Sequence, residues 1–120
     1  MSDRRQLGQL GEALAAAELQ RRGYTIVDRN WRCTYGELDL VTRDGDTLAV
    51  IEVRTRRGHA YGTPEESLTA AKQTRLAAAA RTYVQTVGWD GPWRIDVVAI
   101  VLDPRERVER LTVIPNAVGG

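Results

Sequence analysis

The stretch GELDLVTRDGDTLAVIEVRTR, residues 36 to 56, decides the fold because it has the pattern of a β-hairpin. Apolar residues recur on both sides of Asp44-Gly45-Asp46, and an Asp-Gly pair between two such segments is a strong hairpin turn signal. If Gly45 and Asp46 form a two-residue loop, residues that face each other across the two strands have numbers that sum to 91. A turn at Asp44-Gly45 changes the partners but keeps the same residues on each face.

This register places four charged residues on one face of the hairpin. Asp39 lies opposite Glu52, and Glu37 lies opposite Arg54, because directly opposed residues and residues two apart share a face. The other face is apolar and suited to packing under a helix; it carries Leu38, Leu40, Ala49, Ile51 and Val53.

Two opposed carboxylates on paired strands repel each other, and this repulsion needs an explanation. One explanation is a bound Mg²⁺ or Mn²⁺ ion, since these ions prefer oxygen ligands and are often held by a pair of carboxylates. The alternative is a solvated face on which Arg54 forms an ion pair with Glu37 or Glu52. The spacing alone does not decide between the two.

The segments outside the hairpin alternate between helical and strand patterns. Leu7, Leu10, Leu14 and Ala17 recur at helical spacing before Gly23, and Thr63 begins a capping box with Glu66. The predicted elements are a helix over 3–22, a strand over 24–32, the hairpin, a helix from 63 to about 86 that ends at Gly88, a strand over 93–102 and a shorter edge strand over 108–114. The second helix has the apolar stripe Leu68, Leu76, Ala79, Ala80, Tyr83, Val84 and Val87. This order predicts a single α/β domain over residues 1–120, with a sheet flanked by helices.

Composition is that of a globular protein, with 42% hydrophobic and 28% charged residues. No apolar run reaches the roughly 18 residues of a membrane span, and the N-terminus lacks a secretory signal. Cys33 is the only cysteine, as expected in a reducing compartment. We therefore expect a cytoplasmic protein with no membrane partner. The net charge of +1 gives no overall basic field.

Five segments of the chain, taken in order, resemble a known family. Asp39, twelve residues, then Glu52-Val53-Arg54 resembles the Asp…Glu-x-Lys signature of PD-(D/E)XK nucleases. The segments GEALAAAELQRRGYTIVDRNWR, GELDL, EVRTR, GTPEESLTAAKQTRL and RIDVV resemble those of the YraN-type uncharacterised endonuclease-like family, which is related to the Holliday-junction resolvases. The likeness extends from about Gly8 to Ala117.

The resemblance implies a restriction-endonuclease-like αβββαβ core with a central mixed sheet, DNA or RNA as partner, and a metal-dependent nuclease site. By position, Asp39 and Glu52 would be ligands of Mg²⁺ or Mn²⁺, together with the carbonyl of Val53. Glu12 on the first helix would be a further acidic ligand, directly or through water, and Gln73 would orient the site.

Arg54 departs from the signature, which has a lysine at this position. Arginine binds phosphate well but stays protonated, so it is not a general base. Three hypotheses follow: an endonuclease acting on branched or single-stranded substrates, a non-catalytic nucleic-acid-binding module, and an interaction domain or homodimer formed through the edge 108–114.

Several basic and aromatic residues are candidates for contacts with nucleic acid. Phosphate contacts are predicted at Arg32, Arg56, Arg57 and Lys72, with Arg29 and Arg75 as further candidates. Tyr61 or Trp31 would stack on an unpaired base, although aromatic residues more often pack in the core. Asp96 is interpreted as structural, with Arg94 as its expected partner.

Overall fold

A computed structural model describes residues 3–60 and 62–119 as one five-stranded sheet between two helices. The elements in chain order are α1 Asp3–Arg21, β1 Thr25–Cys33, β2 Gly36–Asp44, β3 Thr47–Arg57, a 3₁₀ turn Glu65–Ser67, α2 Ala70–Val87, β4 Trp93–Leu102 and β5 Val108–Val118. Within these residues, neither helix is long and apolar enough to cross a membrane.

The sheet has the strand order β1-β2-β3-β4-β5 and is mixed. β3 and β4 run parallel, while the other neighbouring pairs are antiparallel. A parallel pair requires a crossover connection, and the segment that contains α2 supplies it. The predicted α/β fold with a restriction-endonuclease-like mixed sheet is confirmed.

The predicted hairpin register is confirmed from Asp44–Thr47 to Leu40–Ile51, but the expected pairs Asp39–Glu52 and Glu37–Arg54 lie beyond the paired residues, and Glu37 is paired with Arg32 of β1 instead. Asp44 pairs with Thr47 and Leu40 pairs with Ile51, so opposed residues sum to 91 and Gly45-Asp46 forms the loop. Gly45 has a φ of 63°, a conformation that glycine adopts without steric strain.

The two helices cover opposite faces of the sheet. α1 buries Ala15, Ala16 and Leu19 against one face, and α2 buries residues such as Leu76 and Tyr83 against the other. Two stripe assignments are wrong, because Ala17 is exposed on α1 and Val87 is 51% exposed at the end of α2.

The predicted second helix is interrupted near its start. The capping box forms, with the Thr63 amide donating to the Glu66 carboxylate at 2.6 Å, but it begins only the 3₁₀ turn. Leu68 then leaves the helical conformation, with a ψ of 87°, and its side chain is buried in the core. Thr69 caps a new helix by accepting a hydrogen bond from the Lys72 amide. Two successive caps therefore divide the segment where a single helix was expected.

β5 is longer than predicted, since it continues four residues beyond 114. The register shifts between Ile95 and Val97, and Asn116 takes a φ of 52°. The Asn116 amide donates to the buried carboxylate of Asp96 at 2.8 Å, which accommodates the irregularity. Such a bulge at an edge strand tolerates proline, and here it contains Pro115. The proposed use of this edge in a homodimer stays a prediction.

Gly11 is the point of closest approach between α1 and the sheet. A Cβ atom at Gly11 would lie 2.0 Å from Thr55 Oγ1 and 3.1 Å from Thr55 Cβ, so any side chain pushes α1 away from β3. We expect Gly11→Ala to lower the free energy of unfolding by about 1–3 kcal/mol, as overpacked substitutions do. Urea denaturation measures this change.

Gly8 on the same helix provides the control, because nothing lies within 4 Å of a Cβ atom there. Gly8→Ala should be neutral or stabilising by about 0.5–1 kcal/mol, as expected for alanine in a helix. Equal effects of the two substitutions would contradict the close packing of α1 on Thr55.

Candidate metal and nucleic-acid site

The candidate site lies where β2 and β3 separate. Their pairing ends at Leu40 and Ile51, so β3 beyond Ile51 has a paired strand only on the β4 side. Next to this point, Asn30 of β1 takes a φ of 51° between paired neighbours. The sheet is therefore irregular at the rung of Asn30 and Asp39.

This irregularity corrects one detail of the predicted apolar face. Leu38 packs in the core under α2, whereas Leu40, Ala49 and Ile51 pack under α1, with Val53 against them. The alternation of β2 changes at Asp39, whose side chain accepts a hydrogen bond from the Val53 amide at 2.8 Å. The Asp39 carboxylate thus takes the place of a strand carbonyl, which a period-two pattern does not predict.

Asp39 and Glu52 come together at this opening. Burial, followed by the charge of Glu52, raises the pKa of the Asp39 carboxyl to about 8, although the hydrogen bond from Val53 opposes the shift. Burial also raises the pKa of Glu52, with Arg54 opposing it. Two neighbouring buried carboxyl groups whose pKa values are raised favour either a shared proton or a cation.

Arg54 is held in place by two elements. Its Nη1 donates to Glu52 at 3.2 Å, and its Nε donates to the hydroxyl of Ser67 at 2.8 Å. The Ser67 hydroxyl in turn donates to the Pro64 carbonyl at 2.6 Å. The 3₁₀ turn therefore fixes the guanidinium beside the acidic pair, and Arg54 forms the ion pair with Glu52 that the sequence left as an alternative, within β3 itself.

Glu12 on α1 lies near the pair without joining it in a cluster. Its carboxylate accepts a hydrogen bond from the Asn30 amide at 3.0 Å, and its charge contributes to raising the pKa of both Asp39 and Glu52. In the described part of the chain, no three His, Cys, Asp or Glu side chains form a group that would hold an ion.

The donor chemistry of Asp39 and Glu52 fits Mg²⁺ or Mn²⁺. Both groups are carboxylates, and these ions are usually held by one or two carboxylates, with water and substrate phosphate as the other ligands. A dication would also offset the burial and the charge of Glu52 that raise the pKa of Asp39. The pair therefore suits a site completed by substrate.

A cationic cleft of about 560 Å³ adjoins the pair. It lies between the start of α1, the end of β3 and the start of α2. Its described lining includes five cations and no acid; the cations are Arg4, Arg54, Arg56, Arg57 and Lys72. The buried Nε of Arg56 has no hydrogen-bond partner among residues 3–60 and 62–119. Arg54 pairs with Glu52 and Arg57 pairs with Glu106, and the remaining cations leave the lining positive and suited to phosphate.

A smaller depression of about 140 Å³ lies on the other side of the pair. Its lining includes Tyr35, Glu37, Glu52, Lys72 and Arg75. Lys72 lines both the cationic cleft and this smaller depression. The two depressions and the acidic pair thus form one continuous surface.

Two of the predicted site residues do not line the cationic cleft. Arg32 is 81% exposed and forms an ion pair with Glu37 at 3.1 Å. Gln73 donates to the Leu68 carbonyl at 3.0 Å and lines a third depression with Arg81 and Val118. Gln73 thus stabilises the break before α2, and its predicted role in orienting the site stays a prediction.

The remaining candidates have structural partners or fall outside the description. Trp31 packs edge-on against Tyr83, with ring centroids 5.1 Å apart, in the core. Tyr61 lies outside the described residues. Asp96 is fully buried and accepts a hydrogen bond from Arg94 at 2.9 Å, which confirms its structural interpretation.

Sequence reasoning missed three residues of the site: Arg4, Asn30 and Ser67. Arg4 carried no signal, because only the fold brings the start of α1 to the end of β3. An asparagine inside a strand is a weak signal for left-handed backbone, which asparagine tolerates better than most residues. Ser67 was assigned to a continuous helix, where its hydroxyl had no predicted partner.

Comparison with known proteins identifies the family. The uncharacterised protein family UPF0102 matches residues 11–100. A UPF0102 protein of Moorella thermoacetica is 47% identical over 115 residues, which cover 95% of this chain and 96% of the relative. UPF0102 proteins of Nocardia farcinica and Pelotomaculum thermopropionicum are 46% and 44% identical, over 89% and 98% of this chain and 85% and 99% of their own lengths. The chain therefore belongs to UPF0102, the YraN family.

Proposed function

We propose that the protein is a metal-dependent endonuclease that hydrolyses phosphodiester bonds in DNA or RNA. The observation that carries the proposal is the paired, partly buried carboxyl groups of Asp39 and Glu52 beside the cationic cleft. Acidic residues alone suit many cations, and basic residues alone suit many anions. Their adjacency suits a phosphodiester with a dication.

Each acidic residue of the site has a distinct part in the proposed reaction. Asp39 and Glu52 would hold Mg²⁺ or Mn²⁺, with the Val53 carbonyl as a further ligand and Glu12 acting through water. When bound, such an ion activates water and offsets negative charge on phosphate.

The cations of the cleft have the complementary task. Arg56, Arg57 and Lys72 would hold the phosphates that flank the scissile bond, because several positive groups line one continuous wall. Arg54, fixed by Glu52 and Ser67, would stabilise charge that develops in the transition state. Arginine does not serve as a general base, so the base must be another group or bulk water.

The second candidate function is a non-catalytic nucleic-acid-binding module. The arginine at the position of the signature lysine favours it, because arginine preserves phosphate binding while it removes a group able to exchange a proton. Both candidates predict binding that weakens steeply with salt. They differ only in whether the strand is cut.

The deciding experiment incubates the purified protein with end-labelled duplex, flap, single-stranded and four-way-junction substrates. We expect endonucleolytic products in Mg²⁺ or Mn²⁺ and none in EDTA, because the proposed reaction needs the ion to activate the attacking water. Gel electrophoresis measures the products. Salt-sensitive binding without cleavage of any substrate would support the second candidate instead.

A further inference from the structure

Tyr35 stands out as an aromatic ring left in solvent. It occupies the two-residue turn between β1 and β2, where Cys33 pairs with Gly36. The residue is 52% exposed, and within residues 3–60 and 62–119 no other tyrosine or tryptophan is exposed. Trp31, at the end of the same strand, is packed in the core. Unlike Trp31, Tyr35 therefore has no role in core packing that would account for an aromatic residue at this position.

The position of Tyr35 relates it to the acidic pair. The ring lines the smaller depression together with Glu52, which contacts Arg54 on the side of the cationic cleft. Lys72 and Arg75 lie in the wall of the same depression. A strand that passes from the cationic cleft across Glu52 therefore stays beside Lys72, meets one further cation, Arg75, and then reaches the exposed Tyr35.

This arrangement matches the way proteins hold unpaired nucleotides. A cationic groove follows the backbone, and an aromatic side chain stacks on a base. In a duplex both faces of each base are covered by neighbouring pairs, so only an unpaired or extruded base offers a free face. The solvent-exposed ring of Tyr35 offers one free face on which such a base can stack.

We propose that Tyr35 is the stacking platform for an unpaired base next to the acidic pair, with Lys72 and Arg75 holding the adjoining phosphate. This inference rests on the proposed function and narrows its substrate to nucleic acid with a single-stranded segment. The contacts are to a base face and to phosphate, so DNA and RNA share the required chemistry. Duplex flanks would lie in the cationic cleft.

Binding in EDTA tests the platform without cleavage. Fluorescence anisotropy measures the affinity of wild type, Tyr35→Ala and Tyr35→Phe for labelled single strands and duplexes, as DNA and as RNA. We expect Tyr35→Ala to weaken single-strand binding by about 5- to 150-fold, the usual effect of one stacked base. Tyr35→Phe keeps the ring and should bind within about 2-fold of wild type, and duplex binding should not change. Val87→Ala is the control, because Val87 is similarly exposed on α2.

An abasic oligonucleotide identifies the stacked base. Removing one base while leaving its phosphate should weaken wild-type binding at a single position along the strand, and Tyr35→Ala should be insensitive to the same removal. Equal single-strand affinity of wild type and Tyr35→Ala, or equal losses on single strand and duplex, overturns the platform and leaves the proposed nuclease intact. Absence of all nucleic-acid binding by wild type overturns both.

Discussion

Glu52→Gln should abolish metal-dependent cleavage, with a loss of about three orders of magnitude in rate. Glutamine has the shape of glutamate and still accepts a hydrogen bond from Arg54, so the fold and the 3₁₀ turn should be unchanged. It lacks the negative charge that a dication requires of its ligand. Loss of about 4 kcal/mol of charge stabilisation in the transition state lowers the cleavage rate about a thousandfold, since each 1.4 kcal/mol changes the rate about tenfold. Initial rates on the best-cleaved substrate measure the effect.

Glu18→Gln is the matched control for this variant. Glu18 is also a partly buried glutamate with arginine partners, since its side chain is 17% exposed against 14% for Glu52. It lies on α1 and pairs with Arg21 and Arg22. Glu18→Gln should cleave as well as wild type. Because both variants are purified in the same way, a contaminating nuclease would cleave equally in both preparations. Full activity in Glu52→Gln would remove Glu52 from the proposed metal site.

The geometry of the acidic pair was predictable because a short-range signal fixes it. The Asp-Gly turn sets the register as far as Leu40 and Ile51, and the next residue of each strand is Asp39 and Glu52, so the two acids come near each other although the strands no longer pair there. The strand over 93–102 was equally predictable from the sequence, since its continuous apolar run is typical of a strand covered on both faces.

The rest of the site depends on contacts that no local pattern encodes. β2–β3 pairing ends where the Asp39 side chain replaces a strand carbonyl. The cationic cleft forms only because Arg4, at the start of α1, lies beside the end of β3. The break at Leu68 is decided by burial of its side chain rather than by helix propensity. Tertiary packing determines each of these features.

Asp39→Asn should stabilise the metal-free protein at pH 8 while it removes the proposed metal site. The raised pKa of Asp39 means that the folded protein holds a proton that the unfolded chain has already released. As the pH rises from about 4 towards 8, wild type therefore loses up to about 1.4 kcal/mol of unfolding free energy per pH unit from this group. Asparagine does not titrate, and its carbonyl can still accept the hydrogen bond from the Val53 amide. Allowing for screening by water, we expect Asp39→Asn to be about 2–3 kcal/mol more stable at pH 8.

Urea denaturation in EDTA between pH 5 and pH 9 measures this difference, which should grow with pH and level off above the folded pKa of about 8. Adding Mg²⁺ or Mn²⁺ should stabilise wild type most at high pH, because a cation binds the deprotonated carboxylates, and an ion at 100 times its Kd adds about 2.7 kcal/mol. Asp39→Asn should gain no such stabilisation, so the order of stability reverses when metal is present. A difference that stays constant with pH would show that Asp39 is not protonated in the fold, and an unchanged response of Asp39→Asn to metal would place the cation elsewhere. This reversal is expected if Asp39 and Glu52 serve metal binding at the expense of stability. The repulsion between the two carboxylates lowers the stability of the metal-free protein and raises its affinity for a dication.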